Sequence, residues 1–82
     1  MNITVGSVVK STAGKDKDGF FAVLELIGDR ALIADGKRRK VESPKPKNLK
    51  HLRATNTVFD LPLTNKELKR SLKAFGGNAK EE

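Results

Sequence analysis

Residues 8–26, VVKSTAGKDKDGFFAVLEL, decide the fold that the sequence predicts. Residues 8–13 alternate between two faces, which is the pattern of a half-buried strand. Residues 14–19, GKDKDG, are a loop by composition, because glycine at each end adopts turn angles at little cost. Residues 20–27 are almost continuously apolar. Such a strand is covered on both faces for part of its length, so we expect it at the centre of a sheet.

Turn signals divide the next part of the chain into short strands. The dipeptides Gly-Asp at 28–29 and Asp-Gly at 35–36 are typical of hairpin turns. They bound an apolar strand at residues 30–34. The following strand is expected at residues 37–42, KRRKVE, paired with 30–34 and directing Val41 to the core.

The segment after these strands is harder to assign. Residues 43–48, SPKPKN, contain two prolines and should form an extended connection. Residues 49–54 fit either a last short strand or one helical turn, because Leu49 and Leu52 are three positions apart. Several short strands joined by tight turns predict a mainly β fold, a small antiparallel barrel.

A helix is predicted near the end of the chain. Thr64 is a candidate N-cap with Glu67 as its capping-box partner. Leu68, Leu72 and Phe75 form one apolar stripe, which we expect to pack on the barrel, with a dimer contact as the alternative. Gly76-Gly77 should end the helix. The expected organisation is a barrel at residues 1–54, a connector at 55–63, a helix at 64–76 and a disordered tail at 77–82.

The net charge of +7 is concentrated in one segment of the 82-residue chain. Residues 37–53 hold eight bases against Glu42 alone, and the remaining nine bases and nine acids balance. A localised basic segment is the expected footprint of a polyanion such as nucleic acid. A solvated charge run that aids solubility is the alternative.

Several other functional classes are disfavoured. The chain has no cysteine, which excludes disulfides and cysteine-based zinc sites. His51 has no nucleophile partner, and the sequence from Asp16 lacks the ligands of a calcium loop at its fifth and twelfth positions. No apolar run has the length of a signal peptide core or a membrane span. We therefore expect a non-catalytic cytoplasmic protein with no metal or cofactor.

Residues 8–26, together with ADGKRRKVESPKPKNLKHL at 34–52, resemble the KOW-motif proteins. More closely, the chain is similar to bacterial KOW-domain RNA-binding proteins, relatives of large-subunit ribosomal proteins of the archaeal and eukaryotic type. The resemblance covers about residues 5–52 and the segment LTNKELKRSLKAF. It implies an SH3-like five-stranded barrel that contacts RNA through its loops and basic edge. The family usually has glycine directly after the Asp-Lys pair, whereas this chain has Asp18 there and Gly19 next.

The charge pattern and the resemblance together predict an RNA-binding surface and its turn residues. With no Tyr or Trp and only four Phe, we expect contacts with the backbone of structured, ribosomal-type RNA more than base stacking. The protein is expected to be a monomer that associates with RNA, with the ribosome as a candidate partner; a protein-interaction module using the barrel or the helix is the alternative. The predicted structural turn residues are Gly14, Gly19, Asp35 and Gly36. The predicted RNA-binding residues are Lys10, Lys15, Lys17, Lys37, Arg38, Arg39, Lys40, Lys45, Lys47, Lys50, His51 and Arg53.

Overall fold

One antiparallel sheet of five strands and one helix make up the fold in the computed structural model, which describes residues 2–75. This confirms the predicted mainly β class. The strand order across the sheet is β4-β3-β2-β1-β5, so the apolar strand β2 is central, as predicted. The elements are β1 (Ser7–Ser11), β2 (Phe20–Ile27), β3 (Arg30–Ala34), β4 (Lys45–Asn48), β5 (Leu52–Val58) and α1 (Asn65–Phe75), with short 3₁₀ turns at Gly14–Asp16 and Leu49–His51.

The inner face of the sheet forms the first of two apolar clusters. It contains Val9 of β1, Ile33 of β3 and Leu52 of β5. Leu52 and Ile33 belong to one cluster although two strands separate β5 from β3, so the sheet must curl around it. Register shifts between Ser7 and Val9, and between Val23 and Glu25, are the irregularities that allow such bending. The sheet is therefore a small barrel.

The outer face of the same sheet packs against the helix. Val8, Ala22 and Ala34 form a second buried cluster with Leu68 and Leu72 of α1. Successive residues of a strand point to opposite faces, so β1 and β2 are buried on both sides over part of their length. This double burial explains the continuous apolar character of β2.

The predicted capping box begins the helix. The Glu67 amide donates to Thr64 Oγ1 at 3.1 Å, and the Thr64 amide donates to Glu67 Oε1 at 2.9 Å. These reciprocal bonds satisfy two amides that a helix start would otherwise leave unpaired. Leu68 is fully buried and Leu72 nearly so, and both belong to the cluster with strand residues of the sheet. The Phe75 side chain, the Gly76-Gly77 end and the tail at 77–82 lie outside what the structure describes.

The strand predicted at residues 37–42 is wrong. These residues belong to a loop between β3 and β4. The physical reason is Asp35, whose Oδ1 accepts hydrogen bonds from the amides of Lys37, Arg38 and Arg39 at 2.8 to 3.0 Å. Three consecutive amides that converge on one carboxylate cannot alternate as a strand requires.

The strand that pairs with β3 at the edge of the sheet is β4, which lies inside the segment 43–48 that we expected to be a connection. Pro46 is compatible with β4 because this strand is at the edge of the sheet and pairs only with β3. Both alternatives for residues 49–54 are realised in turn, since a 3₁₀ turn at 49–51 leads into β5. Strand β5 runs on to Val58, four residues past the expected boundary of the barrel.

The helical part of the described chain is short. Within residues 2–75, no helix combines the length and apolar composition needed to cross a membrane.

Candidate nucleic-acid interface

A buried carboxylate joins the two most charged loops of the barrel. Asp16, in the loop between β1 and β2, is only 5% exposed. Arg39, in the loop between β3 and β4, places Nη2 at 3.2 Å from Asp16 Oδ1 and 3.3 Å from Oδ2. A charge-assisted contact of this kind fixes the position of the guanidinium relative to the first loop.

Two lysines of the edge strand β4 approach the same carboxylate. Lys45 Nζ is 4.0 Å and Lys47 Nζ 3.9 Å from Asp16 Oδ2. Lys47 also donates to the Ala13 carbonyl at 2.9 Å. Three predicted RNA-binding residues are therefore neighbours of one buried acid, and part of their charge is used to hold the two loops and β4 together.

The backbone of the second loop is closed by its own hydrogen bonds. The Arg39 carbonyl accepts from the amides of Asp35 and Gly36 at 2.9 and 3.0 Å. Asp35 in turn accepts the amides of residues 37–39, so both ends of the loop are tied. Arg39 is thus held by its amide, its carbonyl and its side chain.

The far side of this loop rests on the start of the helix. Val41 donates its amide to Asn65 Oδ1 at 2.8 Å, and Asn65 Nδ2 donates to Glu42 Oε1 at 2.8 Å. The hydrogen bond from Asn65, followed by that from the Glu42 amide and by the nearby charge of Lys40, lowers the pKa of Glu42 below its ordinary value. Gly36 has a φ of 78°, and a Cβ there would collide with the Asn65 carbonyl, so only glycine fits.

Five of the predicted cations project from these two loops into solvent. The exposed residues are Lys15 and Lys17 on the first loop and Lys37, Arg38 and Lys40 on the second. Lys15, Arg38 and Arg39 line an open depression of about 480 Å³ between the loops. Arg38 and Lys40 are exposed although the strand that was predicted to contain them does not form.

Lys10 and Arg53 are cross-strand neighbours on β1 and β5. Lys10 Nζ is 3.7 Å from Asp18 and 5.9 Å from the centre of the Phe20 ring. Asp18 is exposed, so this ion pair adds little to stability. The pair shows that the second acid of the first loop lies over the end of β1.

Lys50 and His51 belong to the 3₁₀ turn between β4 and β5. The His51 carbonyl accepts from the amide and the hydroxyl of Thr12 at 2.9 and 3.1 Å. Lys50 is exposed and, with Leu49 and Ile3, lines a different open depression of about 680 Å³. The predicted set is therefore divided between the two loops, the edge strand β4, the β1–β5 face and this turn.

The phenylalanine rings described by the structure take part in packing. Phe21 is buried in the cluster inside the barrel, and Phe20 and Phe59 pack, partly buried, against the helix-side cluster. A base would have to displace packing partners to stack on them.

Sequence reasoning missed the role of Asp16, which it treated as a turn residue. The available signal was an acid between Lys15 and Lys17 in a chain whose excess of bases lies in residues 37–53. The excess of bases does not show which of them lie next to Asp16 in the fold. The course of the loop at residues 35–44, which decides this, depends on Asp35 and Asn65.

A comparison of the chain with models of known protein families and a comparison with curated proteins each find no match. The geometry of the described residues therefore carries the functional argument.

Proposed function

We propose that the protein is a non-catalytic RNA-binding protein that contacts the phosphate backbone of structured RNA. The observation that carries this proposal is the group of five exposed cations on two loops that Asp16 and Arg39 fasten together. Lys and Arg that neutralise phosphates release condensed counterions, which supplies most sequence-independent affinity for nucleic acid. Loops held in place lose less conformational entropy when they bind than mobile tails do.

The packing of the aromatic rings supports backbone recognition over base reading. Readers of single-stranded RNA stack bases on exposed rings. Phe20, Phe21 and Phe59 are engaged in the two cores of this barrel. A cationic surface whose described aromatic rings are engaged in packing suits an RNA whose shape is already formed.

The resemblance to KOW-domain proteins supports the same proposal and extends it. It favours ribosomal or ribosome-associated RNA as the partner, a cytoplasmic location and a monomer. Asp18 has a φ of 70°, the left-handed region that glycine occupies at least cost. The acid at the position where the family usually has glycine thus keeps a glycine-like backbone.

The burial of two residues of the helix stripe weighs against the alternative of a protein contact made through them. Leu68 is fully buried and Leu72 is 6% exposed within this chain. A partner could reach these side chains only if the helix left the barrel.

A salt titration of binding tests the proposal. The affinity for a ribosomal RNA hairpin, measured by fluorescence anisotropy, should fall with increasing salt with a log–log slope of roughly −4 to −6, as for about five to seven neutralised phosphates. If no salt-sensitive binding to the hairpin is found at low ionic strength, the RNA-binding proposal is wrong.

A double substitution locates the surface. Arg38→Ala with Lys40→Ala should make the slope shallower by about one to two units for every RNA sequence, because each cation contacts phosphate and no base. Lys73→Ala, in the last turn of the helix, is the matched control and should leave the slope nearly unchanged. If the double variant and the Lys73→Ala control have equal salt slopes, the RNA-binding site lies away from the loops.

A further inference from the structure

The depression between the two loops is lined by one fixed cation and two exposed cations. Its lining residues are Lys15, Arg38 and Arg39. Lys15 comes from the first loop and the two arginines from the second, so the Asp16–Arg39 contact is what brings them together. These three cations surround an open depression of about 480 Å³, which gives a phosphate group room to enter from solvent.

The charge around the depression remains strongly positive after the nearby acids are counted. Asp16 is approached by Arg39, Lys45 and Lys47, and the rim adds Lys15 and Arg38. Five cations against the carboxylates of Asp16 and Asp35, the second of which binds the amides of Arg38 and Arg39, leave a local charge of +3. The Asp16 side chain is only 2% exposed, so it lies beneath the cations and offers little repulsion to an anion arriving from solvent.

Arg39 retains donors that the protein does not use. Both of its contacts with Asp16 use Nη2. Its Nε is buried and has no acceptor among residues 2–75. The Arg39 side chain as a whole is 28% exposed, so an anion can reach it from solvent at its exposed part while Asp16 holds Nη2. Guanidinium groups bind carboxylate and phosphate through several N–H groups in a fixed fork, which allows one arginine to contact two anions.

We infer that this depression is a discrete binding site for one phosphate group, with Arg39 as the pre-positioned anchor and Lys15 and Arg38 as the two closing cations. The inference rests on the proposed function where the phosphate belongs to an RNA backbone. The same chemistry also accepts free phosphate. Phosphate is favoured over a carboxylate because it presents more acceptor oxygens, carries charge that three converging cations neutralise, and matches the fork of arginine.

The first measurement uses inorganic phosphate and the unmodified protein. Phosphate should shift the backbone amide signals of Lys15, Arg38 and Arg39 in a saturable manner, followed by two-dimensional NMR. The double variant Lys15→Gln with Arg38→Gln should lose these shifts, and the control Lys73→Gln should keep them. Weak shifts spread evenly over all lysines, or shifts that persist in the double variant, would overturn the site. The titration of the unmodified protein decides this point even if the double variant fails to fold.

The second measurement uses a ribosomal RNA hairpin. It tests whether Lys15 and Arg38 contact the same phosphate. If Lys15 and Arg38 contact the same phosphate, the double variant should lose no more than about 0.7 to 0.9 of the salt slope in total. Raising salt from 50 to 200 mM weakens RNA binding by a certain factor in the wild-type protein. In the double variant this factor should be smaller by only about threefold. A loss of about 1.4 to 1.8 would mean two independent contacts and would overturn the shared site.

The two measurements separate failure of the site from failure of the function. RNA binding without saturable phosphate shifts removes the site and leaves the RNA-binding proposal in place. Saturable phosphate shifts without RNA binding remove the RNA proposal and leave a phosphate site. Displacement of phosphate by poly-glutamate at equal concentration of charged groups would overturn the selectivity for phosphate and favour an acidic protein partner.

Discussion

Asp16 shows how one acidic residue organises a basic surface. Its carboxylate is buried beneath Arg39, Lys45 and Lys47, which come from a loop and a strand distant in sequence. The neighbouring acid Asp18 has the opposite environment, since its side chain is 68% exposed and 3.7 Å from Lys10. Two acids two positions apart thus have different roles, one in assembly and one at the surface.

Replacing each acid by its amide measures this difference. Asp16→Asn removes the only negative charge among three cations, and we expect a loss of about 2 kcal/mol in the free energy of unfolding. This lies below the usual cost of breaking a fully buried pair because the cations are partly exposed. Asp18→Asn should change it by no more than about 0.5 kcal/mol. Urea denaturation of the two variants checks the prediction, and equal midpoints would contradict the central role of Asp16.

At the level of elements, the strands and the helix were predictable to the extent that their own residues determine them. Strands β2 and β3 were predicted with the observed bounds, because apolar runs between turn dipeptides carry a strong local signal. The helix start was predictable from Thr64 and Glu67, whose side chains bond to each other's backbone. These features need no information from the rest of the chain.

The segment between β3 and the end of β5 depended on distant residues and was therefore misassigned in part. The KRRKVE loop is set by the Asp35 carboxylate and by Asn65 of the helix, neither of which is visible in a strand pattern. Strand β4 is recognisable only once it is known to lie at an edge, where Pro46 is tolerated. In the same way, the sequence predicted which cations belong to the candidate site. It did not predict which of them would contact Asp16 and which would be exposed.

A pair of glycines tests how the loop is seated on the helix. Gly36 and Gly28 both have positive φ, 78° and 59°, but a Cβ at Gly28 would meet nothing within 4 Å. Gly28→Ala should therefore cost only the backbone strain, about 1 kcal/mol. Gly36→Ala adds a collision with the Asn65 carbonyl and should cost about 2 to 4 kcal/mol in total. Thermal denaturation compares them, and similar melting temperatures would show that the loop can leave the helix without penalty.

At the scale of the whole molecule, two cores share one sheet. The inner cluster contains Val9 and Ile33, and the outer cluster contains Val8 and Leu68. Because adjacent residues of β1 belong to different cores, movement of this strand affects both. Barrel and helix should then unfold as one cooperative unit, as expected for a small domain with little core to spare.

Shortening Leu68 tests this cooperativity. Leu68→Ala leaves a cavity between α1 and the sheet and should cost about 3 kcal/mol, a large share of the stability of such a domain. The control Lys69→Ala, at an exposed position of the helix, should stay within about 0.5 kcal/mol. Circular dichroism of the helix and methyl NMR signals of Val9 and Ile33 should report the same transition. A helix that melts while the barrel signals persist would contradict a single unit.

The strand order has a consequence for how fast and in what sequence the barrel assembles. Strands β1, β2 and β3 each pair with the next strand along the chain, so these contacts close only short stretches of backbone. The pairing of Lys10 with Arg53 instead brings together distant parts of the polypeptide and carries a larger loop-closure entropy. Folding speed falls as the mean sequence separation of contacts rises, so the β1–β5 seam should limit the rate. The 3₁₀ turn that docks on Thr12 lies directly beside that seam, where it can align β5 before the ladder forms.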